Sequence, residues 1–202
     1  VNACDIGCAW SLVTGPAEEP ISLEEAKDHA RILDDNSNSV VRAYIASARE
    51  AAEAYMGRGL LTQTWKLVLD GWANIIPLPM ASPLQSITSV KYYDDAGVQQ
   101  TLATSVYDLD TVSRPGTVVL KPDQVWPSLQ SIRRNGAIEI TYVVGWLTPD
   151  VIPERIRQGV RQYVTYLDLD RDGMEMGAQQ AQQAAERCWS DRISWSAPQW
   201  GY

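Results

Sequence analysis

The residues with the most reactive side chains are the fewest. The chain carries one histidine, His29, and three cysteines, Cys4, Cys8 and Cys188. Together they make a nominal three-thiolate, one-imidazole set, and the C-x3-C spacing of Cys4 and Cys8 is tolerable for zinc. The other two ligands stand isolated, so no metal is expected, and an odd number of distant cysteines builds no disulfide framework. The run "DLDRDG", Asp168 to Gly173, begins like a calcium loop. Such a loop needs a bidentate glutamate at its twelfth position, where one carboxylate supplies two oxygens. That position is Gln179, and the eighth, ordinarily apolar, is Glu175. A solvated, acid-rich helix end is the expectation there.

Nucleophilic catalysis finds equally little. His29 has no Ser or Cys motif beside it, and the chain lacks the G-x-S-x-G, phosphate-loop and dinucleotide glycine patterns. The acid pairs Asp34–Asp35 and Asp94–Asp95 fall in predicted turns, where aspartate is at home. Two acids brought together by folding remain an alternative source of glycosidase-like chemistry. The expectation is a protein that is not an enzyme and has no catalytic, cofactor-binding or metal-binding residue. The alternatives are a small acid-dependent hydrolase and a calcium-modulated binding module.

The elements that would position any site can be read from periodicity. Ser22 and Glu25 form a capping box at the head of a predicted helix over 22–33, with Leu23, Ala26, Ala30 and Leu33 on one face. "DDNSN" separates it from a second helix over 39–56, whose stripe is Val41, Tyr44, Ile45, Ala48, Ala52 and Tyr55. Arg42, Arg49, Glu50 and Glu53 lie largely off that stripe, and Gly57 and Gly59 stop the helix. From residue 61 the period changes to two. Trp65, Leu67 and Leu69 alternate with polar neighbours, as do Ile138, Ile140 and Tyr142. Between them, Pro83–Leu102 reads as strand, turn and strand around Asp94, Asp95 and Gly97. "VYDLD" and "TVVL" read as short strands, while Pro77, Pro79 and Pro83 point to edges or connections. A third helix over 152–170 buries Ile156, Val160, Tyr163, Val164 and Leu167 and turns Arg155, Arg157, Arg161 and Gln162 outward. "AQQAQQAAERC" is a weaker helical stretch.

The fold class expected is α+β: a helical core of three main helices with an inserted antiparallel β-rich layer over 61–146, and an extended C-terminal tail. The domain boundaries expected are an irregular arm over 1–20, a domain over 21–170, and an extension with an aromatic tail over 171–202. With 25 acidic and 17 basic residues the net charge is −8. A protein that grips phosphates concentrates Lys and Arg, so sequence-specific DNA binding is disfavoured. No apolar run approaches the ~20 residues of a membrane span, and no membrane role is expected.

The ordered set "EEPISLEEAKDHARI", "VVRAYIASAREAAEAYMGRGLLTQTWKLVLDGW", "IIPLPMASPLQSITSVKYYDDAGVQQTL" and "AIEITYVVGW", followed by a proline-led helix, resembles the head–tail connector family of long-tailed bacteriophages and phage-like gene transfer agents. The resemblance runs from about Glu19 to Asp170. It implies a structural adaptor made in the bacterial cytoplasm and resident in the particle neck. It implies a homo-oligomer ring of about twelve copies joining the portal protein to the next neck or tail component. DNA would pass through the channel without sequence-specific binding, a passage suited to acidic walls.

Two expectations about residues follow. Arg58 occupies the Gly-Arg position that the family pattern also has after the second helix, and is expected in a structural or inter-subunit contact. The tail "CWSDRISWSAPQWGY" lies beyond the resemblance. Its composition alone suggests an extended segment that orders on a partner, with Trp189, Trp195, Trp200 and Tyr202 as aromatic anchors on the portal and Arg192 as a polar contact.

Overall fold

Helix formation begins where the capping box predicts. In the computed structural model, which describes residues 8–33, 37–129, 136–171 and 173–190, the Ser22 hydroxyl accepts from the Glu25 N–H at 3.1 Å. The Glu25 carboxylate accepts in return from the Ser22 N–H at 2.8 Å. Helix α1 (Leu23–Ala30) is short because Arg31 takes a left-handed conformation, φ 58°. Leu33 therefore falls past the helix end and is 96% exposed instead of joining the buried face.

Helix α2 (Asn38–Met56) buries Val41, Ile45, Ala48 and Ala52 and ends at Gly57, φ 63°, whose N–H donates to the Glu53 carbonyl. Tyr55, read as part of the stripe, is half exposed. A 3-10 turn (Pro149–Val151) leads into α3 (Glu154–Arg171), which buries Ile156, Gly159, Val160 and Val164. The stretch read as a weak helix is α4 (Glu175–Trp189), with Ala178, Ala181, Ala185 and Trp189 buried. The described residues thus hold the three main helices expected and, as a fourth, the stretch read as weaker. Alanine contributes little hydrophobicity per residue, which is why the pattern of α4 is faint, yet small side chains let helices approach closely.

These helices belong to one of two units, built from residues 16–61 and 146–190. Its core joins the helical stripes to Ile21, Leu60, Leu61 and Ile152. Leu61 and Trp146, where the two segments meet, form a parallel bridge, and the Trp146 N–H donates to the Leu60 carbonyl at 3.0 Å.

The second unit comprises residues 8–15 and 62–145 and holds every strand found among the described residues. These are β1 (Cys8–Thr14), β2 (Gln63–Leu69), β3 (Ile75–Pro77), β4 (Leu84–Tyr93), β5 (Gln99–Thr101), β6 (Tyr107–Asp110), β7 (Thr117–Leu120) and β8 (Ile138–Val144). They form two antiparallel sheets rather than one layer, ordered β1-β2-β8-β4-β5 and β3-β7-β6. The residues read as alternating face one another across β2 and β8. Leu67 lies opposite Ile140, Leu69 opposite Ile138 and Trp65 opposite Tyr142. Tyr142 is fully buried and donates its hydroxyl to the Pro79 carbonyl at 2.8 Å; burial pushes its pKa far up. Pro77 sits on β3, an edge strand, where a missing N–H is tolerated.

One expectation fails at the N-terminus. The stretch read as an irregular arm contains β1, paired with β2 from Cys8↔Leu69 to Leu12↔Trp65. Its sequence, "CAWSLVT", shows no alternation because six of its seven residues are exposed. An edge strand buried on neither face leaves no period to read.

Candidate interface surfaces

Charge inside the helical unit is organised around α2. Arg49 and Glu53, read as lying off the buried stripe, are 8% and 5% exposed. They are four residues apart, so one turn of helix stacks them, with Arg49 Nη1 donating to Glu53 Oε2 at 3.1 Å. Arg49 Nε donates to Glu19 Oε2 at 2.9 Å. Desolvation pulls the Arg49 pKa down, but the carboxylates of Glu19 and Glu53 outweigh it and hold the guanidinium above its usual range. Glu53 Oε1 accepts the Leu60 N–H at 2.9 Å. One carboxylate thereby fastens the turn after α2 to the helix that precedes it. The sequence hid this because a charged residue on a helix is ordinarily solvated; the signal was the i,i+4 spacing just before a Gly-Arg-Gly turn.

Arg58 lies in that turn and is 5% exposed. Its backbone N–H donates to the Glu53 carbonyl at 3.2 Å. The side chain is buried within its own unit.

A second ionic cluster corrects the reading of α3. Arg157 and Arg161, expected to face outward, have side chains only 16% and 12% exposed. Arg157 Nη2 donates to Glu25 Oε1 at 2.5 Å and its Nε to the Pro20 carbonyl at 3.1 Å. Arg161 reaches Glu25 Oε1 at 3.4 Å and also pairs with Glu154. Partial burial pushes the Glu25 carboxyl upward, but the Ser22 N–H and the two guanidinium groups prevail and hold it below the usual carboxylate range. Burial, and then the charge of Arg161, hold the His29 pKa below its usual value.

Beside this cluster lies an open groove of about 820 Å³. Glu18, Glu24 and Asp150 supply acidic walls, answered by Arg42 and Arg157, over a floor that includes Ile45. Surfaces of this kind suit protein contact better than enclosure of a small substrate, which favours deep and largely apolar pockets.

The candidate catalytic and metal-binding acids are occupied in local structure. Asp94 Oδ1 accepts from the Ala96 and Val98 N–H groups, and its Oδ2 from Gln100. Asp95 accepts from Ser128 at 2.6 Å. Asp34 and Asp35 lie outside the described residues. Helix α3 runs through Asp168 and Asp170, so these acids sit on a helix instead of a calcium loop, with Asp168 paired to Arg171. Among the described residues no group of three or more His, Cys, Asp or Glu could hold a metal ion. Cys4 lies outside them.

Trp189, expected as a portal anchor, is only 3% exposed. It is the last residue of α4 and packs against Tyr163 and Tyr55 at centroid distances of 5.5 and 5.9 Å. Its indole N–H donates to the Ile156 carbonyl at 3.4 Å. A Cβ at Gly159 would lie 2.2 Å from the indole nitrogen, so the absence of a side chain there makes the seat. Trp189 therefore works inside its own unit. Arg192, Trp195, Trp200 and Tyr202 lie outside the described residues.

Comparison with known proteins adds a match of part of the chain to a family model and a likeness in fold. Residues 20–101 match the model of the phage gp6-like head-tail connector protein family. No curated protein matches the chain. Three solved structures share its fold over nearly all of both chains. One is the neck of an empty GTA particle computed with C6 symmetry, at TM-score 0.71 and 20% identity, covering 94% of this chain and 98% of that one. Another is the virion of a native gene transfer agent particle, at TM-score 0.69 and 20% identity, covering 93% and 98%. The third is the neck of a native GTA particle computed with C12 symmetry, at TM-score 0.66 and 22% identity, covering 94% and 98%.

Proposed function

We propose that this chain is a head–tail connector protein of a phage or phage-like particle, acting as a structural neck subunit. Copies of it close into a ring of about twelve, the form that repeated heterologous contacts take when their rotation closes. The ring joins the portal to the next neck or tail component, and DNA passes through it.

The observation that carries this reading is the extent of the likeness. Chains of GTA particles share the fold across 93–94% of this one, so the likeness takes in both units and reaches well beyond residues 20–101. Two of those necks were computed with C6 and C12 symmetry, which supports a cyclic arrangement here. A net charge of −8 also suits a passage for DNA, since like charge does not retain it.

The segment after Ser190 is the proposed portal contact, with Arg192, Trp195, Trp200 and Tyr202 supplying a guanidinium and three aromatic rings. The burial of Trp189 fixes where a test must cut. Removal of residues 191–202 leaves α4 and its tryptophan in place. The truncated protein is expected to keep its helix content and melting temperature and to lose binding to purified portal in a pull-down. Retained binding would move the portal contact elsewhere.

A further inference from the structure

The two ends of the large sheet are built differently. β5, at one end, is three residues long and entirely polar, "QQT". Short polar edges are one of the ways in which proteins prevent a sheet from adding another strand. β1, at the other end, is seven residues long and carries no charged side chain. Among the described residues β2 is its one neighbouring strand.

The side chains of β1 sharpen the contrast. The register with β2 sets Cys8, Trp10 and Leu12 opposite Leu69, Leu67 and Trp65, on the face that carries the core. Leu67 and Leu69 are each 1% exposed, whereas Trp10 and Leu12 are 40% and 47% exposed. The apolar layer therefore runs past the point where the unit covers it. Pairing becomes irregular between Leu12 and Thr14, which limits the regular run to Cys8–Leu12.

We propose that the β1 edge and its Trp10–Leu12 face are a contact between copies of this chain, an inference that rests on the ring reading above. Charge selects this occupant. Copies of a chain with net charge −8 repel one another over most of their surface, and they meet at least cost where the surface is neutral and apolar. A partner recruited by charge would instead be basic and would seek acidic surface such as the groove beside Glu18, Glu24 and Asp150. The unlike ends of the sheet also suit a ring, whose contacts join two different surfaces.

The test uses assembled particles that carry a photoactivatable benzophenone side chain at position 12, Leu12→benzoylphenylalanine, in every copy of the chain. Irradiation is expected to give covalent dimers of this chain on a denaturing gel, with position 12 joined to another copy in the mass spectrum. Cross-links only to a different neck protein, or none, would overturn the proposal. In that event, neck images showing a ring of this chain would leave the ring reading standing, and images without one would remove both. Leu12→Lys provides a second arm at an already exposed site. Its melting temperature is expected to match the parent's, while the copies retained per particle fall about tenfold, because a charged edge strand refuses a partner. Full retention of Leu12→Lys would also overturn the contact.

Discussion

Glu53 ties two neighbouring stretches of the helical unit together through one carboxylate. Its two oxygens hold Arg49 and the Leu60 N–H, and it is 5% exposed. Removing one partner from a buried ion pair strands the other in a low dielectric, at a cost of about 3–5 kcal/mol. Glu53→Ala is expected to lose that much in denaturant unfolding followed by the helix signal; a loss under about 1 kcal/mol, the size of a surface pair, would refute the role. Glu25 gives a pH-dependent counterpart. Its folded pKa lies below the unfolded value, so its contribution is full above about pH 4.3 and is lost as pH falls through the folded value. Glu25→Gln should melt below the parent at neutral pH, and the two melting curves should converge as the medium is acidified below pH 4. A gap that persists unchanged in acid would show that the ion cluster is not its source.

At the scale of elements, the docking of α4 on α3 depends on one absent side chain. A methyl group at Gly159 would enter the indole of Trp189, with further approaches of 2.6 and 2.9 Å to ring carbons. Overpacking of this kind costs about 1–3 kcal/mol. Gly159→Ala is expected to destabilise by that amount, and the penalty should shrink in a Trp189→Leu background because the two changes share one site. Additive effects in that double-mutant cycle would contradict the packing. Elements were legible in the sequence where one face is wet and the other dry. β8 alternates buried and half-buried residues, and α2 repeats Val41, Ile45, Ala48 and Ala52. Legibility failed where that contrast is absent. β1 has no buried face, and α4 buries mainly alanine. The ionic clusters were hidden for another reason: Arg49, Arg157 and Arg161 are buried by segments distant in sequence, Glu19 and Glu25 among them. Trp189 was misread because it was grouped with the aromatic residues that follow it, when its spacing of four from Ala185 continues the buried face of α4.

At the scale of the molecule, family resemblance and chemistry converge. Among the described residues, Asp94 caps a turn and Asp95 accepts from Ser128, and the surfaces singled out are an acidic groove, an apolar strand edge and the proposed C-terminal contact. On the proposed reading, the chain acts by touching other proteins, and its activity is its position in an assembly. The decisive measurement is cryo-electron microscopy of particle necks with this chain identified by a fused density marker. A closed ring of about twelve marked copies, between the portal and the next tail component and around a central channel, is the predicted result. Necks in which the marker is absent from that layer, or lies at a single position off the axis, would contradict it.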